Sequence, residues 1–287
     1  MADARTRAEG AEEAPASEKE FGDALCAVDG TEESLAAVEH AAALAGPGGH
    51  VTLLVVTSYR TEGERRSPAI GPISAKAMLD RAVAIAKRAG VSVSVEVDPA
   101  SPPARVVLDW AYGRSLLALG APATSWFGGM FFGGVAVEAE GALGTPLLVA
   151  RARPGAGRFS DPIVVASDGL EGSDELVELG GRLARAQDAS AVLVHALGAE
   201  SQAHPHRVSQ QAHRLQSVTG GRCELVVEPG SARNVIVDAA RAANASLVVM
   251  SSRRLHGLGV IGSVSRRVVH QGHCSVLLVP PERLLAL

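Results

Sequence analysis

Short apolar runs recur along the chain, each too brief for a buried helix and each separated from the next by a polar or amphipathic stretch. In the first half they are Ala24 to Ala27, Val51 to Val56, Val91 to Val97, Leu116 to Leu119 and Leu147 to Val149. The second half repeats them as Ile163 to Ala166, Ala191 to His195, Cys223 to Val227, Leu247 to Met250 and Val276 to Val279. Near-continuous hydrophobic strands of this kind predict parallel sheets covered on both faces.

The stretches between the strands predict helices. Thr31 with Glu32 and Glu33, and Ser173 with Asp174 and Glu175, read as capped helix starts with acids in the first turn. Further helices are expected at Lys76 to Ala89 and Ser209 to Val218, at Pro103 to Ala111 and Ala232 to Ala243, and at Val264 to His270. Thr57 to Ala75, a segment lacking a counterpart of equal length in the second half, reads as a loop.

Asp29 precedes Leu53 by 24 residues and Asp168 precedes Val192 by the same 24, so the halves are in register. The predicted class is α/β, with two similar doubly wound domains, each a five-stranded parallel sheet flanked by helices. The expected division is a disordered tail at 1–20, a domain at 21–152, a linker at 153–160 and a domain at 161–287.

Composition narrows the partners. A net charge of −4 with no basic run does not suggest nucleic acid. Ser115 to Val137 has no charged residue and enough length for a bilayer, but Gly120, Pro122, Gly128 and Gly129 interrupt it, so no membrane span is expected. Cys26, Cys223 and Cys274 fit reduced thiols in a cytoplasmic protein better than a disulfide framework.

Candidate chemistry gathers where strands end. Asp29 and Asp168 each close a strand before a loop, as ligand contacts or as turn carboxylates. Gly262 and Ser263 open a helix whose unpaired N–H groups suit an anion, with Arg253 and Arg254 nearby and Arg266 and Arg267 on a solvated face. His204, His206 and His213 read as surface residues in a loop. His270, His273 and Cys274 lack an oxyanion device. Trp126, Phe127, Met130, Phe131 and Phe132 form an apolar group suited to a contact with the other domain or another copy.

The start Val28-Asp29-Gly30-Thr31-Glu32 and the closing run Ile261 to Val279 resemble the universal stress protein family in its tandem two-domain form. The resemblance spans Phe21 to Pro280. It implies adenine-nucleotide binding, ATP or a relative, with Mg2+ if bound. It would place Asp29 and Asp168 near adenine or ribose, and Val56 and Ala196 against the base. Phosphate would meet Gly120, Gly133 and Gly134 in the first half, and Ser251, Arg254, Gly262, Ser263 and Val264 in the second.

Both phosphate loops depart from the family's Gly-x2-Gly-x9-Gly-Ser/Thr form. Ala123 replaces a glycine and Gly134 the hydroxyl residue, while the second loop is two residues shorter and lacks both early glycines. The second half, with Ser263 and its arginines, is expected to be the better phosphate site. The alternative is a nucleotide-free pair acting through dimer and partner interfaces. The absence of a Ser-Gly-Gly-x-Asp-Ser loop after the first strand disfavours an ATP pyrophosphatase, and no catalytic residue is expected. Two similar domains in one chain suggest intramolecular domain pairing, or a homodimer.

Overall fold

The structure is a computed structural model that describes residues 20–57, 59–62, 65–68, 72–100, 103–121, 144–152, 159–198, 204–252 and 263–284. In chain order the first half gives β1 (Asp23–Ala27), α1 (Glu32–Ala45), β2 (His50–Val56), β3 (Tyr59–Glu62), β4 (Arg65–Pro68) and α2 (Pro72–Arg88). It continues with β5 (Ser92–Asp98), α3 (Pro103–Ala111), β6 (Leu116–Gly120) and β7 (Leu147–Ala150). The second half gives β8 (Ile163–Ala166), a 3-10 turn (Glu171–Ser173), α4 (Asp174–Ala186), β9 (Ala191–Leu197) and α5 (Pro205–Thr219). After these come β10 (Cys223–Pro229), α6 (Ala232–Ala242), β11 (Leu247–Ser251), α7 (Ser263–Gln271), β12 (Ser275–Val279) and α8 (Pro281–Leu284).

The five expected strands of each half pair in the order β7-β6-β1-β2-β5 and β12-β11-β8-β9-β10, all parallel within a half. The two sets join into one ten-stranded sheet through β7 and β12, which run antiparallel. Leu148 faces Leu277, flanked by Leu147 opposite Leu278 and Val149 opposite Val276. Every one of these six side chains is buried, which makes the seam as apolar as a strand pair inside either half.

One face of the sheet is packed by α1, α2, α4 and α5 around Leu35, Leu53, Leu176, Leu193 and Phe159. The other is packed by α3, α6 and α7 around Val107, Leu117, Ile236 and Val268. Both cores run across the seam without a break. Helix α4 approaches the sheet closely because Gly180 has no Cβ, which would otherwise lie 2.3 Å from Val165 Cγ2.

Four expectations change. The segment read as a loop contains an antiparallel hairpin, β3 with β4, and α2 begins at Pro72 rather than Lys76. Proline is tolerated in a first helical turn, where its missing N–H has no partner to lose. The same reason applies to His204, His206 and His213: α5 starts at Pro205 with His204 as N-cap. Its inward stripe is Val208, Gln211, Leu215 and Thr219, and the histidines lie outside that stripe. Ser173 makes no capping bond to α4. Residues 1–19, most of the linker, Arg253 and the group from Trp126 to Phe132 lie outside the described residues. No helix among the described residues is long and apolar enough to cross a membrane.

Candidate functional site at the carboxyl edges

The strand order reverses between β1 and β6, and between β8 and β11, so each half has a crevice at its carboxyl edge. Ala27 is level with Leu54, and Cys26 with Ala118. Asp29 and Val56 therefore lie at one height, with Gly120 one residue below them. In the second half Ala166 is level with Val194 and Met250, which sets Asp168 beside Ala196 and Ser251 just below. The topology brings these six candidates together in two sets of three.

In the first half Asp29 is exposed, and its Oδ1 accepts from Thr31 N at 3.0 Å and Thr31 Oγ1 at 2.7 Å. Thr31 Oγ1 in turn accepts from Ser34 N at 3.1 Å, capping α1. Asp29 Oδ2 is open among the described residues. Gly30 adopts φ +89°, a conformation glycine supplies at little cost, and Met78 lies directly over it. Gly120 is packed against the backbone of Glu33 and Ser34, so α1 accounts for its missing side chain. Val56 is half-buried beside the core under α3.

The second half is wired differently. Asp168 Oδ1 accepts from Leu170 N at 2.9 Å and Ser173 Oγ at 2.8 Å. Ser173 spends its hydroxyl on this carboxylate, which is why it does not cap α4. Beneath lies a buried polar network that the sequence reading missed. Ser167 Oγ donates to Gln211 Oε1 at 2.6 Å and accepts from Gly169 N at 3.0 Å. Gln211 Nε2 donates to Leu170 O at 2.9 Å and to Asp174 Oδ1 at 2.7 Å, while Arg207 reaches Asp174 Oδ2 at 3.0 Å. His195 Nδ1 lies 3.0 Å from Ser167 O, a carbonyl that only accepts, so this nitrogen carries the proton. The only local sign of Gln211 was its place in the inward stripe of α5.

The phosphate-side candidates Gly133, Gly134, Arg254 and Gly262 lie outside the described residues. Ser263 opens α7, Val264 follows it half-buried, and Ser252 after β11 is buried, its N–H bonded to Val279 O at 3.0 Å. Among the described residues no group of three His, Cys, Asp or Glu side chains is placed to hold a metal ion. A groove of about 310 Å3 lies between α1 and α2, with Leu35, Ala36, Ala84 and Ile85 as its apolar walls. Burial raises the Glu39 carboxyl in that groove above its ordinary value, and the Arg88 charge opposes the shift.

The model described as the universal stress protein family matches residues 20–151 and again residues 160–280. The chain belongs to the universal stress protein family. Its two universal stress protein units correspond to the two five-stranded halves. A universal stress protein from Archaeoglobus fulgidus DSM 4304 has a similar structure, with a TM-score of 0.68 at 17% identity over 91% of this chain and 97% of that one. A functionally unknown protein from Pseudomonas aeruginosa PAO1 is similar at a TM-score of 0.63 and 19% identity, over 93% of this chain and 95% of that one. No curated protein matches the chain. At these identities the likenesses establish the tandem universal stress protein fold.

Proposed function

We propose that this tandem universal stress protein holds an adenine nucleotide, ATP or a relative, at a carboxyl edge and acts in a stress response through conformation and partner contacts. The working units are residues 21–152 and 161–287 joined by 153–160, paired within the chain in the cytoplasm. One observation carries the reading: Asp29 is exposed at the strand-order switch, level with Val56, with an oxygen unspent among the described residues. A carboxylate there accepts from ribose hydroxyls or the adenine amino group, and Val56 offers an apolar contact for the base. Mg2+ would arrive with the phosphates.

Asp168, like Asp29, has one oxygen committed to local bonds, here from Leu170 and Ser173, but it is half-buried where Asp29 is exposed, which supports a different role for the second edge. The nucleoside end therefore belongs to Asp29, and the start of α7 at Ser263 offers N–H groups to an anion in the second half.

The test is the 260 to 280 nm absorbance ratio of purified protein, chromatography of the heat-released supernatant, and thermal unfolding with millimolar ATP and magnesium. Nucleotide should raise the midpoint, Asp29→Asn should remove that rise, and Asp168→Asn should leave it in place. A nucleotide-free preparation with no thermal response would leave a domain pair working through its interfaces alone.

A further inference from the structure

Strand β10 is the outer strand of the second half, with no strand beyond it among the described residues. Its hydrogen bonds to β9 are fixed at both ends: Ala191 N donates to Arg222 O at 2.9 Å, and Gly230 N donates to Leu197 O at 3.3 Å. Parallel pairing alternates, so Glu224, Val226 and Glu228 continue that ladder. Leu225 and Val227 then direct their backbone N–H and C=O groups away from the sheet.

The side chains alternate as well. Leu225 stands beside core residue Leu193, yet it is 40% exposed, Val227 is 39% exposed and Leu197 of β9 is 51% exposed. The three form an apolar stripe at the rim of one face, and Glu224 and Glu228 stand exposed on the other. A second copy fits poorly, because an antiparallel β10 pair centred on Val226 sets Glu224 against the partner copy's equivalent of Glu228. The outer strand of the first half repeats the arrangement, with Val95 and Val97 exposed at 41% and 56% and Glu96 and Asp98 between and beyond them.

We propose that the free edge of β10 receives an extended segment of a partner protein whose residues alternate apolar and basic. The segment adds an eleventh strand, its main chain bonding Leu225 and Val227, its apolar residues covering the Leu197, Leu225 and Val227 stripe, and its Lys or Arg residues meeting Glu224 and Glu228.

The probe is an end-blocked, fluorescein-labelled peptide alternating valine and lysine, followed by anisotropy against the full chain. Its valine and glutamate counterpart should bind at least about tenfold more weakly. Val227→Pro removes an N–H that β9 does not use, so it should abolish binding while the circular dichroism spectrum is retained. Replacing Glu224→Lys and Glu228→Lys together should reverse the peptide preference. Failure of the lysine peptide to bind, equal binding of both peptides, or binding that survives Val227→Pro would overturn the proposal. Self-association that Val227→Pro dissolves would assign the edge to a second copy instead.

Discussion

Gly120 lies against the amide of Ser34: a Cβ on residue 120 would sit 2.5 Å from the Ser34 nitrogen and equally close to the Glu33 carbonyl carbon. The end of β6 and the first turn of α1 are thus in backbone contact, and neither can give way easily. Gly120→Ala should cost about 1–3 kcal/mol, read as a lower denaturation midpoint. Ser251, the corresponding residue of β11, already carries a side chain, so Ser251→Ala should change stability little.

Gln211 is 1% exposed and serves Ser167, Leu170 and Asp174 at once. Gln211→Leu keeps the volume but strands a hydroxyl, a carbonyl and a carboxylate oxygen. A loss of about 2–4 kcal/mol is expected in chemical denaturation, since each orphaned buried group carries its own desolvation cost.

Ser275 on β12 ties the halves together, its Oγ 2.9 Å from His40 Nδ1 and accepting from Arg151 N at 3.1 Å. His40 also packs on Phe159, ring centroids 4.6 Å apart. Ser275→Ala should cost about 1–3 kcal/mol and, because both cores cross the seam, should lower the unfolding of both halves together. Two separated transitions in calorimetry would contradict this.

Burial pushes the Cys26 thiol far above its ordinary value, and burial also raises Cys223, a half-buried residue at the sheet edge. Both stay protonated at neutral pH. Cys223 should nevertheless react first with a thiol reagent in native protein, and Cys26 only on unfolding, as mass spectrometry of labelled peptides will read.

Trp110 Nε1 donates to Asp98 Oδ2 at 2.9 Å, and Ala100 N donates to Oδ1 at 2.8 Å. The Trp110 bond, then the Ala100 bond, lower the Asp98 carboxyl below its ordinary value. A depressed carboxyl favours the fold above its unfolded value, and that support is lost as pH falls through the lower folded value. The Trp110 indole N–H resonance should therefore move only below the usual aspartate range, and Asp98→Asn should flatten the titration.

Much of this fold was legible from apolar runs and the repeat of Asp29 by Asp168, because strand and helix periods are local properties. The contacts between distant residues were not. Nothing around His40, in a run of alanines, signals a bond to Ser275, and Ser173 looks like a helix cap until Asp168 is seen to take its hydroxyl. The hairpin from Tyr59 to Pro68 was hidden among charged residues, with no apolar alternation to mark it. At the site, the sequence pointed to both aspartates alike, whereas the fold leaves Asp29 exposed and Asp168 half-buried.

The reversal of direction between β7 and β12 sends the two crevices to opposite rims of the molecule. Occupants of the two would be screened from each other by the full length of the strands. What joins the halves between those rims is the seam itself, Leu148 against Leu277 and the His40 ring bonded to Ser275.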